Sequence, residues 1–386
     1  MENPELNFVK EYNAGKLFET NGVFIPVLSG STIEMGEQYG ALMTEEMQNT
    51  YNLLVQPEIE AKTIDNTTID QWIDRAYTTG SLRTKQFYEG IALGSSWPLR
   101  KVILLDQIYE YRLYKSKLES FAGCTSIVSF GKESIDGKMY VGRNLNWNPI
   151  LNTLPLVLTI RKPIDGSYKL GSIGWSGIYN SLTALNDKGV YMDIHDGSSM
   201  GGAIVATERP PILNTVVDIL SEVNSSDEVK TKFNGLLSSI SIILTVADIN
   251  TALSIECSSL AGNSVKHTAD DSLVVANTFT NDDWGIGRRE TVSHSLQRFT
   301  NIAYHLKENR GKIDVGLMKE LMDLKLFNED HALMKNRDCT KPQLIDSDIT
   351  NYQIVCDISN LLLWVKMPVP EFYTKWTPIS LKELFA

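Results

Sequence analysis

Cysteine is scarce in this chain, and the four that occur, Cys124, Cys257, Cys339 and Cys356, lie far apart. Because no two of them form a CxxC pair, the sequence predicts neither a structural zinc site nor a small disulfide scaffold. Scattered cysteines are typical of reduced thiols, so we expect a cytoplasmic protein. No basic start followed by an apolar run is visible at the N-terminus, so no signal peptide is predicted. A leader removed ahead of the first residue would instead imply a secreted or periplasmic protein.

Long apolar runs and basic clusters are also missing. No run of about 18 uninterrupted apolar residues occurs, so no membrane-spanning helix is predicted. The 36 basic and 47 acidic residues give a formal charge of −11, which disfavours binding to nucleic acid or to an anionic membrane surface. Apolar residues make up 42% of the 386, enough to bury a large core in one domain or in two modest ones.

The pattern of the chain changes at Cys124. The part before it is mainly helical, with one short strand at 23–27 and helical stretches at 33–60, 68–93 and 98–118. From Cys124 to Phe130 the residues are β-branched and apolar, Asp136-Gly137-Lys138 is a turn signal, and an extended pattern resumes at 139–144. Together these predict a β-hairpin that begins at the cysteine.

Strands and helices alternate in blocks beyond this hairpin. Further strands are predicted at 156–161, 182–185, 190–194, 240–246, 252–257 and 273–276, with paired strands at 354–365. Further helices are predicted at 211–223, 293–307 and 316–324. Strands flanked by helical blocks predict a layered α+β fold.

Cys124 is the best candidate for a nucleophile. A thiol needs a base, and none of the five histidines lies at a diagnostic spacing from a cysteine. Cleavage of the Gly123–Cys124 bond would supply one, because a free α-amine has an ordinary pKa of about 7.7–8.0, close to the value of about 8.5 for a thiol. Gly123 has no side chain to cover the scissile carbonyl. One residue could then supply both nucleophile and base.

Two blocks of sequence carry a resemblance to a known group. They are Cys124-Thr125-Ser126-Ile127-Val128 and Gly142-Arg143-Asn144-Leu145-Asn146-Trp147. The first resembles the start of the mature subunit, and the second a following block, in the cysteine N-terminal-nucleophile (Ntn) amidases. That group includes acid ceramidase, N-acylethanolamine acid amidase, the isopenicillin N acyltransferase family and the choloylglycine or penicillin V hydrolases. The resemblance implies a four-layer αββα sandwich, with a propeptide-like helical segment at 1–123 and a catalytic domain at 124–386.

The resemblance also implies roles for individual residues. Cys124 would be the nucleophile and, once freed, its amine the base, while Arg143 would lie near the thiol and favour the thiolate. Asn277 would donate its side-chain amide to the oxyanion, and Arg298 would brace the site. Asn146 stands where the family has an aspartate that binds the cysteine amine, and a neutral amide cannot favour an ammonium group electrostatically.

Alternatives stay open at three positions. Asn281 rivals Asn277 and Arg288 rivals Arg298, because the ceramidase branch has a similar stretch there. His195 falls where many relatives have a second oxyanion-hole asparagine. As a metal ligand it has no third partner at a usual spacing, so no metal is expected, and the reaction needs no cofactor.

The predicted activity is that of a self-processed cysteine amidohydrolase acting on a linear C–N bond. Its partner would be a small N-acyl amide, cleaved through a thioester, and the protein could form a homo-oligomer. One alternative is an acyltransferase that passes the acyl group to an amine. Another is a catalytically impaired, binding-only protein, of which Asn146 would be a symptom.

Overall fold

The computed structural model describes residues 6–115, 123–197, 208–268, 270–282, 289–290, 295–324, 350–369 and 372–386. The strands in these ranges are β1 (Asn7–Tyr12), β2 (Gly15–Thr20), β3 (Val23–Gly30), β4 (Gly123–Gly131), β5 (Gly137–Asn146), β6 (Leu156–Pro163), β7 (Leu170–Gly174), β8 (Thr183–Asn186), β9 (Tyr191–Asp196), β10 (Ile242–Ala247), β11 (Ala252–Ser258), β12 (Gly262–His267), β13 (Ser272–Val275), β14 (Thr278–Phe279), β15 (Arg289–Glu290), β16 (Thr350–Asp357), β17 (Leu362–Lys366), β18 (Pro368–Val369), β19 (Phe372–Tyr373) and β20 (Thr377–Ser380).

Of the helices in the described ranges, five precede Cys124 and five follow it. The helices are α1 (Thr32–Leu54), α2 (Gln56–Glu60), α3 (Asn66–Thr79), α4 (Leu82–Ser95), α5 (Leu99–Lys115), α6 (Ile212–Leu220), α7 (Ser226–Phe233), α8 (Ser295–Glu308), α9 (Val315–Met322) and α10 (Leu381–Phe385). Helix α1 begins at a capping box, in which Ser31 and Glu34 exchange side-chain-to-backbone hydrogen bonds.

Two large sheets form the centre of the molecule. The first has ten strands in the order β1-β2-β3-β6-β7-β8-β9-β10-β11-β12, and the second has six in the order β13-β4-β5-β16-β17-β20. Neighbouring strands are antiparallel except for the parallel pair β3–β6. The predicted hairpin at the cysteine is confirmed as the antiparallel pair β4–β5.

The side chains of β4 alternate between two apolar clusters, as a strand buried on both faces requires. Ile127 packs with Ile302 of α8 and Met318 of α9, whereas Val128 belongs to the main core between the sheets. On the far side of the ten-stranded sheet, α1 packs on β3 and α4 packs on α1. The order helix, sheet, sheet, helix confirms the predicted α+β fold with αββα layers.

The first 123 residues contain more strand than predicted. Besides β3, the structure has β1 and β2, a hairpin that turns at Asn13, where φ is 52°. The prediction missed this hairpin because all six residues of β1 are exposed and carry no buried apolar alternation. The predicted helix at 33–60 is divided at Val55 into α1 and α2. The domain division at residue 124 stays a prediction, and the β3–β6 pair joins strands from both sides of it.

Candidate active site

The register of three strands positions the side chains around Cys124. In the six-stranded sheet, Cys124 pairs with Leu145, and Leu145 with Tyr352. Two residues further along β4, Ser126 pairs with Arg143 of β5. Paired residues, and residues two apart on a strand, share a face. These side chains therefore all point toward the ten-stranded sheet, into the space between the two sheets.

The neighbouring strand β13 ends before it reaches Cys124. Its last residue, Val275, pairs with Ser126, so continued pairing would bring Asn277 opposite Cys124. Asn277 leaves the ladder instead, and its side chain takes the place of a strand backbone. The amide N–H of Cys124 donates to Asn277 Oδ1 at 2.7 Å. A side chain thus satisfies a backbone donor that an uninterrupted sheet would pair.

Arg298 of α8 holds the other backbone group of the cysteine. Its Nη1 donates to the carbonyl oxygen of Cys124 at 2.8 Å and to Thr125 Oγ1 at 2.6 Å. Its Nη2 donates to Asn277 Oδ1 at 3.1 Å. A Cβ atom at Gly123 would lie 3.1 Å from Arg298 Nη2. The glycine therefore leaves space for this guanidinium beside the predicted cleavage site.

The amide of Asn277 has a defined orientation. Because Oδ1 faces two donors, Nδ2 faces the carbonyl oxygen of Asp196, to which it donates at 3.0 Å. The oxyanion role of Asn277 stays a prediction, and it requires an N–H of this amide to face the substrate carbonyl.

Arg143 lies on the thiol side of Cys124. Its Nη2 is 3.9 Å from Cys124 Sγ and donates to the carbonyl oxygen of Ile194 at 2.7 Å. Its Nη1 lies 3.0 Å from Asp193 Oδ1, and both side chains are fully buried. Burial acts to lower the pKa of Arg143, but Asp193 and the thiol outweigh it and the pKa rises. Arg143 is a permanent positive charge beside the sulfur.

Asp193 is the centre of a buried polar cluster on β9. Its Oδ2 accepts from Ser126 Oγ at 2.6 Å and from Tyr191 Oη at 2.8 Å. Its Oδ1 lies 2.9 Å from His195 Nε2 and also faces Arg143. Burial acts to raise the pKa of Asp193, yet Arg143 and His195 hold it well below its usual range. The carboxylate therefore stays ionised and fixes the position of the Arg143 guanidinium.

His195 has a different environment from the one expected of an oxyanion donor. Its Nε2 faces both the Asp193 carboxylate and Thr245 Oγ1, the latter at 3.0 Å. Burial lowers the pKa of His195, which favours the neutral ring. A neutral ring whose Nε2 carries the hydrogen has no hydrogen on Nδ1. This geometry favours a role for His195 in the Asp193 cluster over donation to an oxyanion.

The thiol itself is buried in the intact chain, with Cys124 only 7% exposed. Burial raises the pKa of the Cys124 thiol, and the positive charges of Arg143 and Arg298 oppose this. Asp193 raises the thiol pKa further, and the backbone N–H of Asn146 lowers it. The balance keeps the sulfur protonated until a base is available.

The other predicted residues lie at different distances from this centre. Asn146 pairs with Gly123 across the ladder, and its Oδ1 accepts from Thr350 Oγ1 at 2.9 Å. Its side chain is therefore beside the predicted scissile bond and not beside the thiol. Asn281 donates its backbone N–H to Glu256 Oε2 at 3.1 Å, at the end of β11. Arg288 lies outside the described residues.

Sequence reasoning gave no role to Asp193, Ser126 or Thr125, although all three contact the predicted site. Asp193 and His195 are two apart on β9, so their side chains share a face. A polar pair at that spacing within an apolar strand was the available signal. Among the described residues, no group of three or more His, Cys, Asp or Glu side chains could hold a metal ion. None of the described helices combines the length and apolarity that crossing a membrane requires.

The fold and site define an α+β protein with a buried cysteine near the start of an inner strand, whose nitrogen, sulfur and carbonyl oxygen each face a different side chain. No protein-family model matches the chain, and no curated protein matches it.

Several solved structures are similar to this chain. A variant of conjugated bile acid hydrolase from Clostridium perfringens is 12% identical, with 68% of this chain and 94% of that one covered and a TM-score of 0.45. The Caenorhabditis elegans N-acylethanolamine-hydrolyzing acid amidase ortholog is 19% identical, with 61% and 93% covered and a TM-score of 0.43. Penicillin V acylase from Agrobacterium tumefaciens is 13% identical, with 63% and 83% covered and a TM-score of 0.40. At these identities and TM-scores, we base the functional proposal on the geometry of the site itself.

Proposed function

We propose that this chain is a cysteine Ntn amidohydrolase, which cuts its own Gly123–Cys124 bond and then cleaves a linear amide of an N-acylated small molecule. One observation carries the proposal. The N–H, Sγ and C=O of Cys124 are contacted by Asn277, Arg143 and Arg298 respectively, at 2.7, 3.9 and 2.8 Å. All four residues are buried, so their electrostatic interactions are weakly screened.

The first reaction is self-cleavage. Cys124 Sγ attacks the carbonyl carbon of Gly123, and the C–N bond to Cys124 breaks as its nitrogen takes up the proton from the thiol. Water then hydrolyses the resulting thioester, which releases the Gly123 carboxylate and restores the thiol. The product is a chain that begins at Cys124 with a free amine. Asn277 Oδ1, which already accepts from this nitrogen, keeps the amine in position.

The second reaction uses that amine as a base. Arg143 and Arg298 lie beside Cys124. Their positive charges favour the neutral form of the amine, and the neutral Asn146 side chain does not oppose them. The amine takes the thiol proton, the thiolate attacks the acyl carbonyl of the substrate, and the proton passes to the departing amine. Water hydrolyses the thioester. The side-chain amide of Asn277 stabilises the oxyanion, a contribution whose loss typically costs about 10²–10³ in rate.

The test compares Cys124→Ala with Cys257→Ala, since Cys257 is a second buried thiol, on β11. Purified proteins are analysed on a denaturing gel, by N-terminal sequencing, and by hydrolysis of a panel of N-acyl amino acids and N-acyl ethanolamines. The wild type and Cys257→Ala should give two fragments, the larger starting Cys-Thr-Ser-Ile, and should hydrolyse at least one amide. Cys124→Ala should stay intact and inactive. Normal turnover by Cys124→Ala would refute the proposal.

The same assay separates the two alternatives. Added amine acceptors that become acylated at the expense of hydrolysis would identify an acyltransferase. A binding-only protein is favoured if the wild-type chain stays intact and Cys124 fails to react with iodoacetamide. In that protein, Asn146 would remain bonded to Thr350 as in the intact chain.

A further inference from the structure

A second site, lined by two arginines, lies on the outer face of the ten-stranded sheet, away from Cys124. It is a small cavity of about 20 Å³ between the first turn of α1, helix α4 and the β6–β7 connection. The residues that matter in its lining are Thr32, Arg83, Phe87, Arg161, Tyr168 and Tyr179. None of the reactions proposed above uses them.

Arg161 gives this cavity its chemistry. The residue is only 6% exposed, and its guanidinium lies between two aromatic rings, 4.8 Å from the centroid of Phe87 and 4.5 Å from that of Tyr179. Nη2 donates to the carbonyl oxygen of Tyr179 at 2.7 Å. Within the described part of the chain, Nε and Nη1 have no hydrogen-bond partner. Buried donors of a charged group are costly to leave unsatisfied.

The carboxylates that act on Arg161 are engaged with other groups. Asp218 Oδ1 accepts from the Tyr179 hydroxyl at 2.5 Å and lies 3.7 Å from Arg83 Nη1. Asp106 Oδ1 accepts from the backbone N–H of Tyr179 at 2.7 Å and belongs to a separate polar network with Tyr88. Neither carboxylate forms an ion pair with Arg161 in the described residues. The guanidinium charge is therefore buried without a direct counter-ion.

Two other features make the cavity favourable for an anion. Arg83 lines it as a second guanidinium, which also pairs with Asp218 and Glu222. Thr32 is the first residue of α1, a 23-residue helix whose N-terminus carries a partial positive charge. Glu34 offsets part of that charge by capping Ser31 at the exposed side of the same turn. The volume is close to that of one water molecule, which excludes nucleotides and sugar phosphates.

We infer that this cavity binds a small monovalent anion, a chloride ion or the head group of a carboxylate, against the guanidinium of Arg161. The anion supplies the missing counter-ion and accepts from Nε or Nη1. Because the cavity joins α1, α4 and β6, occupancy stabilises the contact between the helical layer and the ten-stranded sheet. This inference is independent of the chemistry at Cys124.

The test is thermal unfolding of the full chain, exchanged into a chloride-free sodium methanesulfonate buffer and titrated at constant ionic strength. Sodium chloride serves as the halide and sodium acetate as the carboxylate, and isothermal calorimetry on the same samples measures binding directly. A ligand that binds only the folded state raises Tm with the logarithm of its concentration. We expect a rise of several degrees at about one hundred times Kd.

The matched variants are Arg161→Met and Arg100→Met, since Arg100 is a half-exposed arginine paired with Asp70. Arg161→Met should lose the response and the calorimetric signal, while Arg100→Met should keep both. A response to chloride alone identifies a halide site, and one to acetate alone a carboxylate site. If Arg161→Met does not fold, the wild-type calorimetry decides. Equal Tm in all three salts with no binding heat would overturn the inference, and buried water would then satisfy Arg161.

Discussion

Replacing Asp193 with Asn should lower the stability of this protein and, at the same time, lower the pKa of the Cys124 thiol. The carboxylate pairs with Arg143 at 3.0 Å, and both side chains are fully buried. Removing one partner of such a pair typically costs about 3–5 kcal/mol, because the other charge stays buried and uncompensated. Ser126 and Tyr191 also donate to this carboxylate. We expect the full cost, since a neutral Asn side chain leaves the buried charge of Arg143 without its counter-ion.

Although the protein loses stability in Asp193→Asn, its Cys124 thiol should become more acidic. The negative charge of Asp193 raises the pKa of Cys124, and Arg143 lowers it. Without Asp193 the guanidinium charge acts on the sulfur unopposed, so the thiol pKa falls. In Asp193→Asn, the pH at which iodoacetamide alkylates Cys124 at half its maximal rate should therefore be lower than in the wild type.

Unfolding in urea measures the first effect, in a Cys124→Ala background that keeps the chain in one piece. Asp70→Asn is the control, because Asp70 pairs with Arg100 at the surface, where an ion pair is worth about 0–1 kcal/mol. A loss no larger in Asp193→Asn than in Asp70→Asn would refute the structural role of the buried pair. An alkylation profile that is unchanged or moved to higher pH would refute its effect on the thiol.

Two further predictions concern neighbours of this cluster. In Asn146→Asp, a carboxylate beside the freed amine of Cys124 would favour the ammonium form of that amine. The acid limb of the pH profile of kcat/KM should therefore move to higher pH. The control is Asn144→Asp, two residues away on the same face of β5, which should move the acid limb less. For His195, burial lowers the pKa in the folded state. Below about pH 6.5 the unfolded chain therefore gains a proton that the folded chain does not, and the free energy of unfolding falls as the pH decreases. His195→Gln should flatten that decrease in urea unfolding measured from pH 7 to pH 5, and an unchanged slope would contradict the prediction.

Local pattern was sufficient for the strand that carries the cysteine. The β-branched residues from Cys124, the Asp136-Gly137 turn and the extended run to Asn144 define the β4–β5 hairpin without help from the rest of the chain. Hairpins are set by short-range chemistry, and a sequence displays it directly. The β1–β2 hairpin escaped prediction because β1 is exposed along its whole length at the edge of the sheet and shows no apolar alternation.

The partners of Cys124 could not be derived from local pattern. Asn277 and Arg298 are separated from it by 153 and 174 positions, and a resemblance to known enzymes was needed to single them out. Asp193 was missed for a different reason. The polar pair of Asp193 and His195 within an apolar strand is a signal, but that strand considered alone does not show whether the pair is solvated or buried. Only the packing of one sheet on the other shows that Asp193 is buried against Arg143.

The early end of β13 explains how Cys124 can lie within a sheet and still be the proposed nucleophile. Had β13 continued past Val275, its backbone would have taken the N–H and C=O of Cys124 into the ladder. Asn277 and Arg298 hold these groups instead. Cleavage at Gly123 would then remove no β4–β13 hydrogen bond, and the new amine would keep the acceptor that its amide already has. A side chain can follow the small displacement of a freed amine, whereas a paired strand cannot move without disturbing the sheet. The interruption of the ladder is thus the feature that makes one residue compatible with three parts: a strand member, the proposed cleavage site and the proposed nucleophile.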